Sequence, residues 1–203
     1  MLVELEGGCR VAGLRDGTPV HSGDLTIWNH FASTLSLRVL ELHGRATLRN
    51  EDRDEVLFVL GEERSVYLPA GQSLDLAGDL TVISALTPRL PTTQVPRYAR
   101  DDGPQRTGDR WYVELIQAEV TQFIGGIPPG RAPDHFHLYE EVIVILDGEG
   151  VMHAGAASTP VANGSCIFLP IRQRHCLENT GSGELRLLGV FYPAGSPAVR
   201  YPS

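Results

Sequence analysis

The 203-residue chain contains no lysine. All 17 basic residues are arginine, which excludes a lysine Schiff base, lysine-bound pyridoxal phosphate and a phosphate loop that ends in lysine. Basic residues are also outnumbered by 25 acidic ones, giving a net charge of −8 and a pI near 5.3. That balance argues against a nucleic-acid or anionic-membrane surface and leaves small molecules as the expected partners. Cysteine is scarce: Cys9, Cys166 and Cys176 are an odd number without C-x-x-C spacing, so neither a disulfide framework nor a zinc cluster is expected. No stretch approaches the ~18 apolar residues of a membrane helix. Glu4, Glu6 and Arg10 stand where a secretory leader would be apolar, so a soluble, cytoplasmic protein with reduced thiols is expected.

Helical periodicity is missing as well. Apolar residues fall instead in short branched or aromatic runs, at 25–27, 35–42, 56–60, 66–68, 80–86, 111–116, 142–146, 166–169 and 185–191. Each is bounded by Gly, Pro, Asp or Asn, the punctuation of strands. The chain is therefore expected to be all-β. Residues 88–108 hold Pro88, Pro91, Pro96 and Pro104 among a run of charges and read as a linker between two units.

The chemistry concentrates in residues 129–141, PGRAPDHFHLYEE. His135 and His137 are two apart and share a face of an extended strand. Glu141 has the same parity, but a straight strand would carry it roughly 13 Å from His137 at about 3.3 Å per residue. The chain must turn at Leu138-Tyr139-Glu140, so that Glu141 opens the next strand and faces back to the histidines. Forty residues after His135 comes His175, within GSCIFLPIRQRHCLEN. Three imidazoles and a carboxylate suit a borderline divalent ion.

The two stretches resemble the signature motifs of the cupin superfamily, G-x5-H-x-H-x3-4-E-x6-G and G-x5-P-x-G-x2-H-x3-N. The second is matched by Gly164, Pro170, His175 and Asn179, with Arg172 in place of the inner glycine; in the first, Gly130 lies one residue closer to His135 than the pattern asks. Gly148 falls at the required distance from Glu141, which selects it over Glu140. The resemblance implies a double-stranded β-helix, or jelly-roll, barrel that holds one metal ion through His135, His137, Glu141 and His175.

A shift of 86 residues sets residues 44–56 against residues 130–142 without a gap. Glycine, arginine, alanine, glutamate and valine agree, but Arg49 and Glu51 stand at the positions of His135 and His137. Further on, Leu68-Pro69 parallels Leu169-Pro170 and places Leu74 at the position of His175; only Glu55 survives, matching Glu141. The chain thus resembles a two-cupin protein: a degenerate barrel over residues 1–90, a linker at 91–108 and a metal-binding barrel over 109–203.

For such a protein the resemblance implies a metal-dependent enzyme of a small organic substrate, with an oxygen-using dioxygenase as the leading reading and iron(II) the favoured ion; manganese, nickel, copper and zinc fit the same donors. A non-redox lyase, isomerase or hydrolase, or a non-catalytic binding protein, are the alternatives. Arg172 and Gln173 are the candidate catalytic residues. An arginine at the barrel mouth could clamp a substrate carboxylate, making an anionic substrate expected, and the other reading is a solvated loop arginine. Asn179 could orient ligands or simply shape a turn, and Arg131, Tyr139 and Glu140 flank the mouth. Ile143, Ile145, Phe168 and Leu169 are expected in the barrel wall or core. Apolar outer strands leave homodimerisation through barrel edges open.

Overall fold

The computed structural model describes residues 1–91, 103–199 and 201–202. Apart from a single 3-10 turn at Glu6–Gly8, the regular structure described is all strand, as the short branched runs require. The chain divides into two compact units: Met1–Gly13 with Arg97–Ser203, and Leu14–Pro96.

The first unit is built from two antiparallel sheets. The larger carries, in order, strands Val3–Glu4, Arg10–Gly13, Ser165–Leu169, Glu140–Asp147, Leu185–Tyr192, Thr121–Ile127, Arg110–Gln117 and Gln105–Thr107. The smaller runs Ala157–Ala162, Glu149–Ala154, His175–Asn179, His135–Phe136 and Tyr201–Pro202, with Gly130–Arg131 also paired to His175–Asn179. Alternation decides what enters the core. Ile143 and Ile145 from one strand, Ile167 and Leu169 from its neighbour, and Met152, Val161 and Leu177 from the smaller sheet form one buried cluster. Phe168 points to the opposite face, where the Arg10 guanidinium lies 4.5 Å from its ring centre.

Two expected boundaries are corrected. Residues 1–13, expected with the N-terminal unit, belong to the C-terminal one: Gly13 to Arg10 pair with Ser165 to Phe168, and Cys9 and Val11 enter its core. The physical reason is that this sheet leaves the edge of Ser165–Leu169 open, and the apolar Val11 and Ala12 close it. The expected linker over 91–108 ends in a strand, since Gln105–Thr107 pairs with Arg110 to Tyr112; residues 92–102 lie outside the described residues.

The second unit is one six-stranded antiparallel sheet, ordered Val20–Ser22, Leu25–Phe31, Ser36–Arg49, Ser73–Pro88, Arg53–Val59, Arg64–Leu68. Ser36–Arg49 pairs with Ser73–Pro88 over its whole length. Midway, Gly44 stands opposite Gly78, with φ of 131° and 110°. Residues with a Cβ rarely adopt those angles, so the two glycines mark where both long strands depart from regular geometry together. Leu40, Leu42, Leu57, Val59, Leu68 and Val82 form the core of this unit.

Candidate metal centre

The smaller sheet sets His135 directly opposite His175, with ring centroids 4.5 Å apart. The strand ends at Phe136, the chain bends through Leu138 and Tyr139, and Glu140–Asp147 begins, as the parity argument requires. Glu141 then faces inward with Ile143 and Ile145 and is fixed on both sides by backbone pairing to Leu169 and Phe191. The ligand atoms of His135, His137 and His175 lie within 4.8 Å of one another. Glu141 Oε2 is 3.5 Å from His137 Nε2 and 3.8 Å from His175 Nε2. The structure therefore brings together all four residues proposed from spacing.

Backbone carbonyls orient two of the rings. His135 Nδ1–H donates to the Pro133 carbonyl at 3.0 Å and His175 Nδ1–H to the Gln173 carbonyl at 2.8 Å, leaving both Nε2 lone pairs for the site. The His137 ring stacks on Tyr139 at a 12° interplanar angle, and Tyr139 in turn donates its hydroxyl hydrogen to the Ser196 carbonyl.

Burial governs the charges. It pushes the Glu141 carboxyl up to about 8, and it lowers His175 to about 3, with His135 adding to the effect. Without a cation, both groups are neutral at pH 7. Glu141 Oε2 is buried without a hydrogen-bond partner, and leaving a buried acceptor unmet costs about 1–3 kcal/mol. Imidazole nitrogens turned inward around an unmet carboxylate oxygen fit a divalent ion of the borderline class.

The four residues sit in a cavity of about 90 Å³. Its other walls are mostly apolar, including Phe123, Ile143, Leu177, Leu187 and Phe191, with Arg110 and Thr107 as polar contributors. Arg110 has only 14% of its side chain exposed. Sequence reasoning missed it: it opens a strand just after the proline-rich segment, and no spacing motif links it to the histidines.

The expectation that Arg172 faces the mouth is not met. Arg172 and Gln173 are both absent from the cavity lining. Arg172 is exposed at the tip of the turn before His175, with φ of 63°, and its backbone N–H donates to the His137 carbonyl at 2.8 Å. The turn replaces a glycine by a residue in the same left-handed conformation and lets the side chain go to solvent. Gln173 is buried and reaches the site only through its carbonyl. Asn179 shapes a turn: its Nδ2 donates to the Ile127 and Gly183 carbonyls, and its Oδ1 accepts from Gly181 N. Arg131 donates to Cys176 Sγ and Asp134, and the three cysteines are buried and unbridged.

This unit combines a two-sheet β fold with an inward-facing histidine cluster. Residues 123–191 match the family model of the cupin domain, and this stretch holds all four candidate ligands. Over 66 residues, 32% of the chain, it is 38% identical to an oxalate-binding protein of Thermotoga maritima; the match covers 54% of that protein, so the chain spans about half the length of this relative. Among solved structures it is similar to a putative glyoxylate-induced protein of Pseudomonas aeruginosa, with a TM-score of 0.73 and 16% identity over 97% of this chain and 93% of that one. It is also similar to a mutant of Bacillus subtilis oxalate decarboxylase, at a TM-score of 0.68 and 12% identity over 92% and 78%. A further structure of the decarboxylase, one concerned with its Mn(II) centres, gives 0.67 and 11% over the same shares. At these identities the likeness is one of fold. Among the described residues, no helix is long and apolar enough to cross a membrane.

Proposed function

We propose that this protein is a metal-dependent enzyme of a small organic anion, with one divalent ion, iron(II) or manganese(II), held by His135, His137, Glu141 and His175. The observation that carries the reading is the unmet, buried Glu141 Oε2 at the floor of a cavity into which imidazole nitrogens are turned. When bound, such an ion supplies Lewis acidity and, as iron or manganese, a redox centre for a dioxygenase-type reaction. The chain's own residues orient and shape: Pro133 and Gln173 fix two rings through their carbonyls, while Phe123, Leu187 and Phe191 give the cavity apolar walls. The Tyr112 hydroxyl at the cavity donates to Gln105 Oε1. The names of the relatives, oxalate-binding and oxalate-decarboxylating, support an anionic ligand.

We also read Leu14–Pro96 as a degenerate cupin counterpart of the C-terminal domain. Glu55 pairs with Leu68 and Leu86, as Glu141 pairs with Leu169 and Phe191. Gly44 and Gly130 share a positive φ. Where the one unit gathers histidines, the other ties one oxygen of its carboxylate to protein: Glu55 Oε1 accepts from Arg38 Nη2 at 2.7 Å and from the Ser84 hydroxyl.

The test is metal analysis of the protein purified without added metal, followed by oxygen-electrode screening of small organic acids. One iron or manganese per chain with substrate-dependent oxygen uptake is expected. Turnover without oxygen uptake would move the reaction to a non-redox class, and a full complement of metal in the His137→Ala variant would overturn the site itself.

A further inference from the structure

The cavity carries information about the ligand's body as well as its head. Apart from the four clustered donors and the rim residues Thr107, Arg110, Trp111 and Tyr112, its walls are carbon: Phe123, Ile127, Ile143, Leu177, Leu187 and Phe191 are all buried and line it. Two nearby polar groups are already committed, since Trp111 Nε1 donates to Glu184 and the Tyr112 hydroxyl to Gln105. Arg110, whose Nε lies 3.8 Å from Asp109 Oδ1, is the one charged side chain among the described lining residues outside the ligand set. A small dianion with an oxygen on every carbon would press carboxylate oxygens against leucine and phenylalanine, where nothing can hydrogen-bond them. A molecule that is apolar away from its acid group meets no such penalty.

We propose that the ligand is a compact amphipathic monocarboxylate, such as a 2-oxo acid with a short aliphatic body. Its polar end faces the four-residue cluster, its carboxylate draws on the charge of Arg110, and its alkyl end lies on the wall formed by Leu177, Leu187 and Phe191. The cavity of about 90 Å³ suits a small molecule. The inference rests on the metal reading for the head and on the walls alone for the body, and the two can fail separately.

Calorimetric titration of the full-length, Mn(II)-loaded protein with oxalate and with the series 2-oxopropanoate, 2-oxobutanoate and 2-oxopentanoate tests it. Each added methylene is expected to tighten binding about fourfold until the cavity is full, the factor for burying one CH₂. The 2-oxo acids are expected to outbind oxalate. Arg110→Gln is expected to weaken the acids by about ten- to hundredfold while leaving Mn(II) stoichiometry, and the affinity of the uncharged 2,3-butanedione, unchanged. Oxalate binding more tightly than every member of the series, or affinities that ignore chain length, would overturn the inference while the metal site stands. A chain that takes up neither Mn(II) nor Fe(II) would overturn both.

Discussion

Gln173 occupies the space beside Gly7 that a Cβ on Gly7 would need: the added carbon would overlap Gln173 Oε1. Gly7 has φ of 69°, and the Gln173 carbonyl holds His175 Nδ1–H. A glycine near the start of the sequence is thus two contacts from a candidate ligand. Gly7→Ala should displace the Gln173 side chain and loosen the carbonyl behind it. We expect a stability loss of about 1–2 kcal/mol from the left-handed backbone alone, with metal affinity down by about tenfold, the low end for groups that orient a ligand. Thermal melts with and without Mn(II) separate the two effects; a melt lowered equally in both would leave Gly7 a purely structural residue.

Glu141→Gln keeps the volume of the side chain and removes the charge. Metal should fall well below one per chain while the metal-free protein becomes no less stable, because the folded carboxyl already holds its proton at neutral pH. Elemental analysis alongside denaturant unfolding measures both.

The same carboxyl makes metal binding depend on pH. Folded, Glu141 keeps its proton up to about pH 8, whereas its ordinary value is 4.5, so the metal-free protein loses stability as pH rises between those two values. His175, lowered to about 3 from 6.5, is neutral throughout the upper part of that window and releases nothing there. Cation binding at pH 7 should therefore expel about one proton from Glu141, and the metal-induced rise in Tm should be larger at pH 8 than at pH 6. Calorimetry in buffers of different ionisation enthalpy counts the proton.

In the other unit the Glu55 side chain is fully buried and its Arg38 partner is 18% exposed. Arg38→Ala strands a carboxylate and should cost about 3–5 kcal/mol, whereas Arg38→Met combined with Glu55→Leu should be close to neutral. Chemical denaturation of the single and double variants decides, and equal losses in both would remove the ion pair from the account.

Arg172→Gly should stabilise the turn slightly, by about 0.5 kcal/mol, as relief of a left-handed non-glycine residue is partly offset by the added freedom of glycine when unfolded. Because the side chain is exposed and off the cavity lining, metal content and ligand affinity should be unchanged. A tenfold weaker affinity would return Arg172 to the site.

The four-residue cluster was legible because its cause is local: parity within one strand, a turn forced by distance, and a second histidine strand with its own punctuation. Where pairing partners were remote, or residues lacked strand character, the sequence was silent. Arg10–Gly13 is four residues long and its partner is remote. Thr121–Ile127 hides behind Gly125 and Gly126, and Ala157–Ala162 behind polar and small side chains. The repeat placed Leu74 at the position of His175, yet the structure pairs Arg49 with Ser73 where His135 pairs with His175, a slip of one residue that identity alone could not reveal. Arg110 reaches the cavity only because distant strands meet there.

The N-terminal strand has a consequence for the order in which the chain is made. Glu6 Oε2 accepts from the Ala156 backbone N–H, a contact spanning 150 residues, and Arg10–Gly13 pairs just beyond it. On a ribosome the strand emerges before all of Leu14–Pro96 and must wait, unpaired, until its neighbour Ser165–Leu169 clears the exit tunnel. At about 5–20 residues per second that wait is roughly ten to thirty seconds, with Cys9 and Val11 exposed throughout. Leu14–Pro96 has every strand of its own sheet in hand well before then and can fold during the pause, so the unit without the histidines is the one positioned to form first.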